Sequence, residues 1–195
     1  MTPSPLPPAL YRVWPSHLPD EFCDLLYDTG RTITLSDAAV VSATAGVVHN
    51  EKARKSKVGF FDNAHWISRL CLHYGCLANR ELWQYDIAEM QGTQFSTYEA
   101  GDFFNWHRDS APDAHPIPDH PTPLRRVVTV IIMLSDGGSY EGGDFMLRDA
   151  SHAELKDPAF REKGSVVVFP GYVLHQVTRM VSGHRASIVG WLMGP

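Results

Sequence analysis

Two stretches in the first 82 residues carry apolar residues at steps of three and four, which is the spacing of one helix face. The first covers residues 19–28 and predicts a short helix that ends at Gly30. The second follows Asp62 and Asn63, either of which can cap it, and predicts a longer helix with a buried face. The apolar positions of the two stretches are Phe22, Leu25, Leu26, Trp66, Ile67, Leu70, Cys71, Tyr74 and Leu77.

After Asn79 the period of the apolar residues shortens to two, which is typical of strands. Short strands then follow one another to the end of the chain, separated by turns that contain Gly or Pro. The predicted strands are 83–90, 94–99, 103–109, 126–134, 143–148, 165–169, 174–181 and 185–193. Helices followed by a run of short strands predict an α+β fold that is mainly β, an antiparallel barrel or sandwich with helices packed on one face.

We expect a single domain over residues 1–195, because this length suits one hydrophobic core and the sequence contains no internal repeat. Residues 1–18 are rich in Pro and predict an extended N-terminal arm. Supporting helices are expected in residues 19–82, and the strands of the core in residues 83–193.

Composition and charge narrow the class of protein. With 44% apolar and 20% charged residues, the chain has ordinary globular composition. Its 22 acidic and 17 basic residues give a net charge of -5, which argues against a general nucleic-acid or anionic-membrane binder. The chain has no secretory signal, no apolar run near the roughly 18 residues of a spanning helix, and three cysteines that fit reduced thiols. We therefore expect a cytoplasmic protein that does not bind membranes.

Three residues have the chemistry and the placing of a divalent metal site. His107 and Asp109 are two positions apart, so on a strand their side chains point to the same side. His175 follows a predicted buried strand and a Pro-Gly turn. Two imidazoles and one carboxylate make the facial set of ligands that leaves positions on a non-haem iron ion open.

A site for an acid is predicted on the last strand. Arg185 and Ser187 are two positions apart and face the same way. Arg can take a carboxylate in two parallel hydrogen bonds, and Ser can add a third. The neighbouring His184 points to the opposite face of the strand. We interpret five histidines as structural or solvated: His65, His73, His115, His120 and His184.

In their order and spacing these residues resemble the iron(II)- and 2-oxoglutarate-dependent oxygenases, and within them the prolyl 4-hydroxylase-like branch. The resemblance covers about residues 54–193 and is strongest from Tyr98 to Trp191. Its pieces are Tyr98-x-x-Gly101, His107-x-Asp109, Arg126-x-x-Thr129, Glu141-Gly-Gly-Asp144, Val168-Phe169-Pro170, His175 and Arg185.

The resemblance implies a fold and a metal. The fold is the double-stranded β-helix, a jelly-roll barrel, with the N-terminal helices packed on one face. The ligands of Fe(II) would be His107, Asp109 and His175. Because halogenating relatives leave the carboxylate position vacant, Asp109 argues against halogenation, and the sequence leaves desaturation open.

The resemblance also implies a co-substrate and a reaction. Arg185 would bind the distal carboxylate of 2-oxoglutarate with help from Ser187, and Tyr98 would line the same pocket. Oxidative decarboxylation of 2-oxoglutarate by O2 would be coupled to hydroxylation of an unactivated C–H bond, with ascorbate as a candidate reductant. Many relatives carry a Tyr four residues after the position of Thr129, but this chain has Met133 there. We therefore expect weaker or differently shaped co-substrate binding.

Three further features each have a structural and a functional interpretation. The basic stretch 51–57 is a solvated loop or a lip that attracts an acidic substrate, and its cations are Lys52, Arg54, Lys55 and Lys57. The loop 110–124 contains five prolines and follows the predicted metal strand, so we expect it to help select the substrate. Trp191 either lines the substrate pocket or packs in the core.

Three hypotheses for the function follow. The first is a hydroxylase of an amino-acid side chain, prolyl or other, in a small molecule or in a protein. The second is a non-catalytic barrel that binds a metal or a small acid, and the intact set of metal ligands counts against it. The third is an oxidative demethylase of nucleic acids, and the acidic charge balance counts against it. The sequence leaves the oligomeric state and the identity of the substrate open.

Overall fold

The computed structural model describes residues 9–42, 46–48, 50–110 and 123–195. Within these residues the chain forms two α-helices, α1 (Asp20–Arg31) and α2 (Trp66–Leu82), and one 3-10 helix (Pro158–Arg161). The strands of the same residues are β1 (Arg12–Trp14), β2 (Ser36–Asp37), β3 (Val40–Ser42), β4 (Gly46–Val48), β5 (Arg54–Lys55), β6 (Lys57–Phe61), β7 (Glu89–Tyr98), β8 (Phe103–His107), β9 (Arg125–Met133), β10 (Tyr140–Gly142), β11 (Phe145–Arg148), β12 (Glu154–Leu155), β13 (Val166–Pro170), β14 (Leu174–Val177), β15 (Met180–Gly183) and β16 (Arg185–Gly194). No helix in this part of the chain is long and apolar enough to cross a bilayer.

Two antiparallel sheets face each other across a shared apolar core. The major sheet has seven strands in the order β1-β13-β9-β16-β7-β6-β2, and the minor sheet has five in the order β12-β11-β14-β8-β5. Two further antiparallel pairs, β3–β4 and β10–β15, complete the pairing among the described residues. This is the predicted jelly-roll arrangement, so the expectation of an α+β fold that is mainly β is confirmed.

The major sheet is buried on both faces. Its outer face packs against α1 and α2, and its inner face packs against the minor sheet. Strand β9 shows the alternation: Val128, Val130 and Ile132 belong to the helix side, whereas Ile131 and Met133 lie between the sheets. Burial on both faces explains why the second half of β9, Val130–Met133, is entirely apolar. The helices cover one face of the sheet, as the sequence predicts.

The start of the strand region differs from the prediction. Residues 83–88 form no strand, and the single strand β7 replaces the predicted strands 83–90 and 94–99. The chain after α2 is fixed by Asn79, whose amide donates to the carbonyl of Tyr85 and accepts from its N–H, each at 2.9 Å. The apolar alternation there arises because these side chains pack against the core on the helix side of the sheet.

Both helices differ from the prediction at one end. Helix α1 does not end at Gly30 but continues to Arg31. Gly30 is buried in the helix and lies so close to the ring of Phe95 that an added Cβ would be 2.4 Å from it. Helix α2 is capped by His65, whose Nδ1 accepts from the N–H of Ile67 at 3.3 Å. The predicted cap, Asp62, instead accepts two N–H groups in the turn that precedes the helix.

Several short strands lie where the sequence predicts none. Strand β1 lies within the Pro-rich arm and pairs with β13, and β2 to β6 fall in the segment 19–82, where only helices are predicted. Strands of two to five residues carry too few alternations to be read from their own pattern. The predicted strand 174–181 is two strands, broken at Thr178, whose hydroxyl accepts the N–H of Asp144 at 2.9 Å.

The contact between α2 and the major sheet allows no side chain at Gly75. A Cβ built there would lie 2.6 Å from Leu192 Cδ1 and 3.2 Å from Val130 Cγ2. We expect Gly75→Val to lower the free energy of unfolding by about 1–3 kcal/mol, because overpacking forces the helix away from the sheet. Thermal unfolding measures this, at about 2–4 °C per kcal/mol for a chain of this size. The control is Cys76→Val, at the exposed position next to Gly75 on α2. It measures the effect of the helix propensity of Val without the contact to the sheet. Equal losses in both variants would contradict the packing account.

Candidate metal and carboxylate-binding site

The three predicted metal ligands meet at the end of β8. His107 is the last residue of β8 and lies directly opposite His175 of β14. Asp109 follows β8, and its N–H donates to the carbonyl of Gly171 at 3.0 Å, in the turn before β14. His107 Nε2 lies 3.9 Å from Asp109 Oδ1, and His175 Nε2 lies 3.6 Å from Asp109 Oδ2. One donor atom from each residue lies within 4.8 Å of the other two, which is close enough to hold one metal ion.

A β-bulge in β8 sets the direction of the His107 ring. The pairs His175–His107 and Val177–Phe104 leave two residues of β8 opposite one residue of β14. The extra residue turns Phe104 and His107 to the same face of the strand, where their rings stack with centroids 3.4 Å apart. The imidazole therefore packs against an aromatic ring on one side and faces the other ligands on the other.

Backbone carbonyls orient both imidazoles. Nδ1 of His107 lies 2.8 Å from the carbonyl oxygen of Asn105, and Nδ1 of His175 lies 3.0 Å from that of Val173. When Nδ1 carries the proton and donates it to the carbonyl, Nε2 is left with a free lone pair. Both Nε2 atoms are the ones that face the carboxylate of Asp109. This is the usual way in which proteins present histidine to a metal.

Two residues of β9 hold the carboxylate of Asp109. Thr129 Oγ1 donates to Oδ2 at 2.7 Å, and Arg126 Nη1 lies 3.8 Å from Oδ1. The guanidinium of Arg126 packs on the ring of Trp191 at 3.7 Å and donates from Nε to Gln91 at 2.7 Å. The sequence motif Arg126-x-x-Thr129 thus contacts the metal ligand, a role that the sequence does not assign. On a regular strand a spacing of three places two side chains on opposite faces, so no local pattern pointed to this role.

The electrostatics keep the donor atoms free of protons. Burial alone would raise the pKa of Asp109, but attraction to the two imidazoles and to Arg126 outweighs it and lowers the pKa to about 2. Burial and then the adjacent His175 lower the pKa of His107 well below its usual value. At neutral pH the site therefore presents an ionised carboxylate and a neutral His107 imidazole, the protonation states that metal binding requires.

A buried cation without an acid lies on the opposite sheet. Arg185 is 2% exposed on the inner face of β16, and no carboxylate of the described residues pairs with it. Its Nη1 lies 3.5 Å from Ser187 Oγ, its Nη2 lies 3.4 Å from the sulfur of Met133, and its Nε has no partner. The ring of Tyr98 lies 5.4 Å from Cζ. Since an unpaired buried charge is costly, this arrangement fits a site that takes an anion.

The structure thus gathers the three predicted acid-binding residues and adds two that the sequence does not single out. Ser187 pairs with Ser96 of β7 in the sheet, and Ser96 Oγ accepts from Gln94 Nε2 at 2.5 Å. Both β7 residues are buried, and because the side chains alternate they share the inner face with Tyr98. The available signal was the placing of Gln94 and Ser96 four and two positions before Tyr98, which puts all three on one face of the strand.

The remaining sequence features have different outcomes. The stretch 51–57 is not a solvated loop throughout, since Arg54 is buried in strand β5. Trp191 is buried, and its ring lies under the guanidinium of Arg126, which contacts Asp109. It does not belong to the apolar core on the helix side of the major sheet. His184 contacts a tyrosine of α1, on the side of the sheet opposite to the pocket, as predicted. The loop residues 111–122 lie outside the described part of the chain.

Residues 93–193, half of the chain, match the family model of the 2OG-Fe(II) oxygenase superfamily. The matched segment contains the His-Asp-His set and the buried arginine described above. The chain belongs to this superfamily. Its metal and co-substrate are therefore those that the family description names, Fe(II) and 2-oxoglutarate, and O2 is the oxidant of an oxygenase.

Curated relatives of this oxygenase include PKHD-type hydroxylases. One from Bordetella pertussis is 33% identical over 99 residues, which is 50% of this chain and 41% of the relative. One from Shewanella oneidensis gives the same values. The chain therefore spans about two fifths of the length of the curated relatives that it matches.

Solved structures support the fold of the oxygenase over nearly the whole chain. A prolyl-4-hydroxylase from Pseudomonas putida superposes with a TM-score of 0.71 at 19% identity and covers 95% of this chain and 93% of its own. A viral collagen prolyl hydroxylase from Paramecium bursaria Chlorella virus-1 gives 0.67 at 16% identity, with coverages of 96% and 97%. A Trichoplax adhaerens prolyl hydroxylase in complex with a hypoxia inducible factor peptide gives 0.65 at 18% identity, with coverages of 94% and 83%. These likenesses establish the jelly-roll fold.

The neutral state of His107 predicts how the metal-free oxygenase responds to acid. Because its pKa is lowered on folding, the unfolded chain binds more protons, so stability falls as the pH drops below about 6.5. Asp109 stays ionised over this range and adds no slope. We expect His107→Gln to flatten the fall of the free energy of unfolding between pH 7.5 and pH 5.5, measured by urea unfolding.

Comparing the parent protein with the His107→Gln variant isolates the contribution of His107 to the pH dependence of stability. Burial also lowers the pKa of His184, which adds the same slope to the parent protein and to the His107→Gln variant. A matched control, His73→Gln, removes an exposed imidazole on α2. If this control flattens the profile as much as His107→Gln does, the slope does not come from the metal site.

Proposed function

We propose that this chain is an Fe(II)- and 2-oxoglutarate-dependent dioxygenase that hydroxylates an unactivated C–H bond of an amino-acid side chain. The observation that carries the proposal is the pairing of two unusual groups across the barrel. A His-Asp-His set lies at the edge of the minor sheet, and an unpaired guanidinium, Arg185, lies on the inner face of the major sheet. Both groups border the same interior, which is the arrangement needed to hold a metal and a dicarboxylate side by side.

The residues present fit both groups. Fe(II) takes mixed nitrogen and oxygen donors, and His107, Asp109 and His175 offer two imidazoles and a carboxylate that are directed toward one point. The orphaned Nε of Arg185 and the loose contacts of its two Nη atoms fit an acid that completes their hydrogen bonds. We assign to Arg185 the distal carboxylate of 2-oxoglutarate.

Some residues of the pocket would bind the co-substrate, and others would exclude water from it. When bound, Fe(II) with 2-oxoglutarate and O2 supplies the oxidising power for C–H hydroxylation, and succinate and carbon dioxide are released. Arg185 holds the charge of the co-substrate, and the Ser187 hydroxyl donates a further hydrogen bond. Tyr98 and Met133 close the sides of the pocket with apolar surface, so that water does not compete for the guanidinium. Met133 donates no hydrogen bond, which leaves Arg185 as the dominant contact.

The class of substrate follows from the fold and the relatives. The three superposed proteins named above are prolyl hydroxylases, and one of them is in complex with a peptide of a hypoxia inducible factor. The curated relatives are PKHD-type hydroxylases. We therefore propose an amino-acid side chain, prolyl or other, as the target of this chain, either in a small molecule or within a protein.

Removal of the carboxylate ligand tests the metal site. We expect the parent protein, titrated anaerobically with Fe(II) and then 2-oxoglutarate, to develop a weak visible charge-transfer band that needs both additions. Asp109→Ala should develop no band and retain no iron, because two imidazoles alone hold Fe(II) poorly. Thr129→Val, which removes only the hydrogen bond to Asp109, should weaken Fe(II) binding by about 10-fold or more.

The control for the metal site is Asp28→Ala, which removes an exposed carboxylate from α1. It should bind Fe(II) as the parent does. Iron retention by Asp109→Ala equal to that of this control would contradict the proposed ligand set.

Removal of the buried cation tests the co-substrate site. We expect Arg185→Gln to raise the 2-oxoglutarate concentration for half-maximal succinate release by about 10-fold or more, since hydrogen bonds between charged groups are lost. Iron binding, measured separately, should persist because Arg185 touches no metal ligand. Arg12→Gln, at an exposed position of β1, is the matched control. An unchanged requirement in Arg185→Gln would mean that another residue holds the carboxylate.

A further inference from the structure

The four cations of the stretch 51–57 have different surroundings. Lys57 Nζ bonds to Asp37 at 2.6 Å, and Lys55 Nζ lies 3.5 Å from Asp102, so acids neutralise both. Lys52 is exposed to solvent. Only Arg54 turns its side chain into the protein, where it is 7% exposed. The structure therefore reduces the predicted basic lip to one residue.

Arg54 points toward the metal site because of its register in the minor sheet. It lies directly opposite Phe104, and residues opposite each other in antiparallel strands share a face. The guanidinium of Arg54 lies 4.4 Å over the ring of Phe104, and the other face of this ring stacks on His107. Arg54, Phe104 and His107 thus form one column that leads to the metal ligands.

The charge of Arg54 has no counter-ion in the described residues. Among the described residues the side chain of Arg54 donates one hydrogen bond, from Nε to the hydroxyl of Ser56 at 2.9 Å, and no carboxylate pairs with it. Arg126, the cation beside Asp109, already shares that carboxylate with Thr129. A nine-tenths buried guanidinium in such a place favours an anion.

We propose that Arg54 binds a carboxylate of the primary substrate, so that the enzyme acts on an amino acid or peptide that carries an acid close to the hydroxylated carbon. This anion is not the co-substrate, since Arg185 serves that role from the major sheet while Arg54 lies on the minor sheet. Phe60 of β6, 61% exposed and opposite Gln94 on the inner face, offers apolar surface for the rest of the substrate. The inference rests on the proposed hydroxylase function.

The test compares probes that differ only in charge. Succinate release from 2-oxoglutarate by the Fe(II)-loaded enzyme is measured with each free L-amino acid and with its L-amino acid amide. A second arm uses pentapeptides with Glu or Gln on either side of a central residue, Pro in one set and Lys in the other, and so separates a free carboxylate from one in a protein. We expect one or more acids to stimulate release at least 10-fold more than their neutral partners.

Variants then assign this preference to one residue. Arg54→Gln should reduce the ratio of acid to neutral response by about 10-fold or more, and Arg54→Lys should restore part of it. Lys52→Gln removes an equal charge from the exposed surface of the same segment and should leave the ratio unchanged. A residue that merely supported His107 through Phe104 would lower both responses alike and leave the ratio intact.

The outcomes separate the two proposals. Equal stimulation by acids and amides, or a ratio that Arg54→Gln leaves unchanged, would overturn the role of Arg54. The absence of any response to acids, together with basal 2-oxoglutarate turnover, would also overturn it and leave the dioxygenase function intact. The absence of all 2-oxoglutarate turnover in the parent protein would overturn both.

Discussion

The burial of the Arg185 guanidinium is the physical constraint that the rest of the barrel must offset. A cation between two apolar sheets loses its hydration, and among the described residues the guanidinium of Arg185 contacts a serine hydroxyl, a thioether and the ring of Tyr98 but no acid. The surrounding fold must offset this cost. It does so by covering the major sheet with two helices on one face and a second sheet on the other, so that the strand carrying Arg185 is held from both sides. The proposed dicarboxylate would relieve this penalty when it pairs with Arg185.

The metal site depends on a different constraint, which is the pairing of β8 with β14. This register sets His107 opposite His175, and a single bulge turns the ring of His107 toward its partner. Asp109 lies just beyond the end of β8, where the turn before β14 and the hydroxyl of Thr129 hold its backbone and its carboxylate. Four separate segments therefore fix three donor atoms. Both histidines lie on paired strands, and Asp109, at the start of the segment between β8 and β9, is held by Gly171 and Thr129, so the three donor atoms are already close together without a metal.

The sequence predicted the two helices, most of the later strands and the jelly-roll fold, and it named the candidate site residues that the structure brings together, because these depend on local period and on spacing within short motifs. It did not predict what long-range pairing decides. The alternation in 83–88 indicated a strand, but those side chains complete the core beside α2. The cationic stretch 51–57 looked uniform, and only the pairing of β5 with β8 distinguishes Arg54 from the lysines around it. Likewise, nothing local revealed that Thr129 reaches Asp109 across 20 positions of sequence.

Arg185 and Arg54, which pair with no acid among the described residues, suggest how the barrel could bind the co-substrate and an acidic substrate at separate places. Arg185 and Arg54 are on facing sheets, and the metal ligands lie on the same sheet as Arg54, one aromatic ring away. A dicarboxylate that bridges the interior can satisfy Arg185 and still reach the ligands, whereas it cannot also reach the far side of Phe104. An acid bound at Arg54 is therefore held against the metal from the opposite side. The proposed division would let a single net-acidic chain discriminate between two carboxylates by position instead of by overall charge.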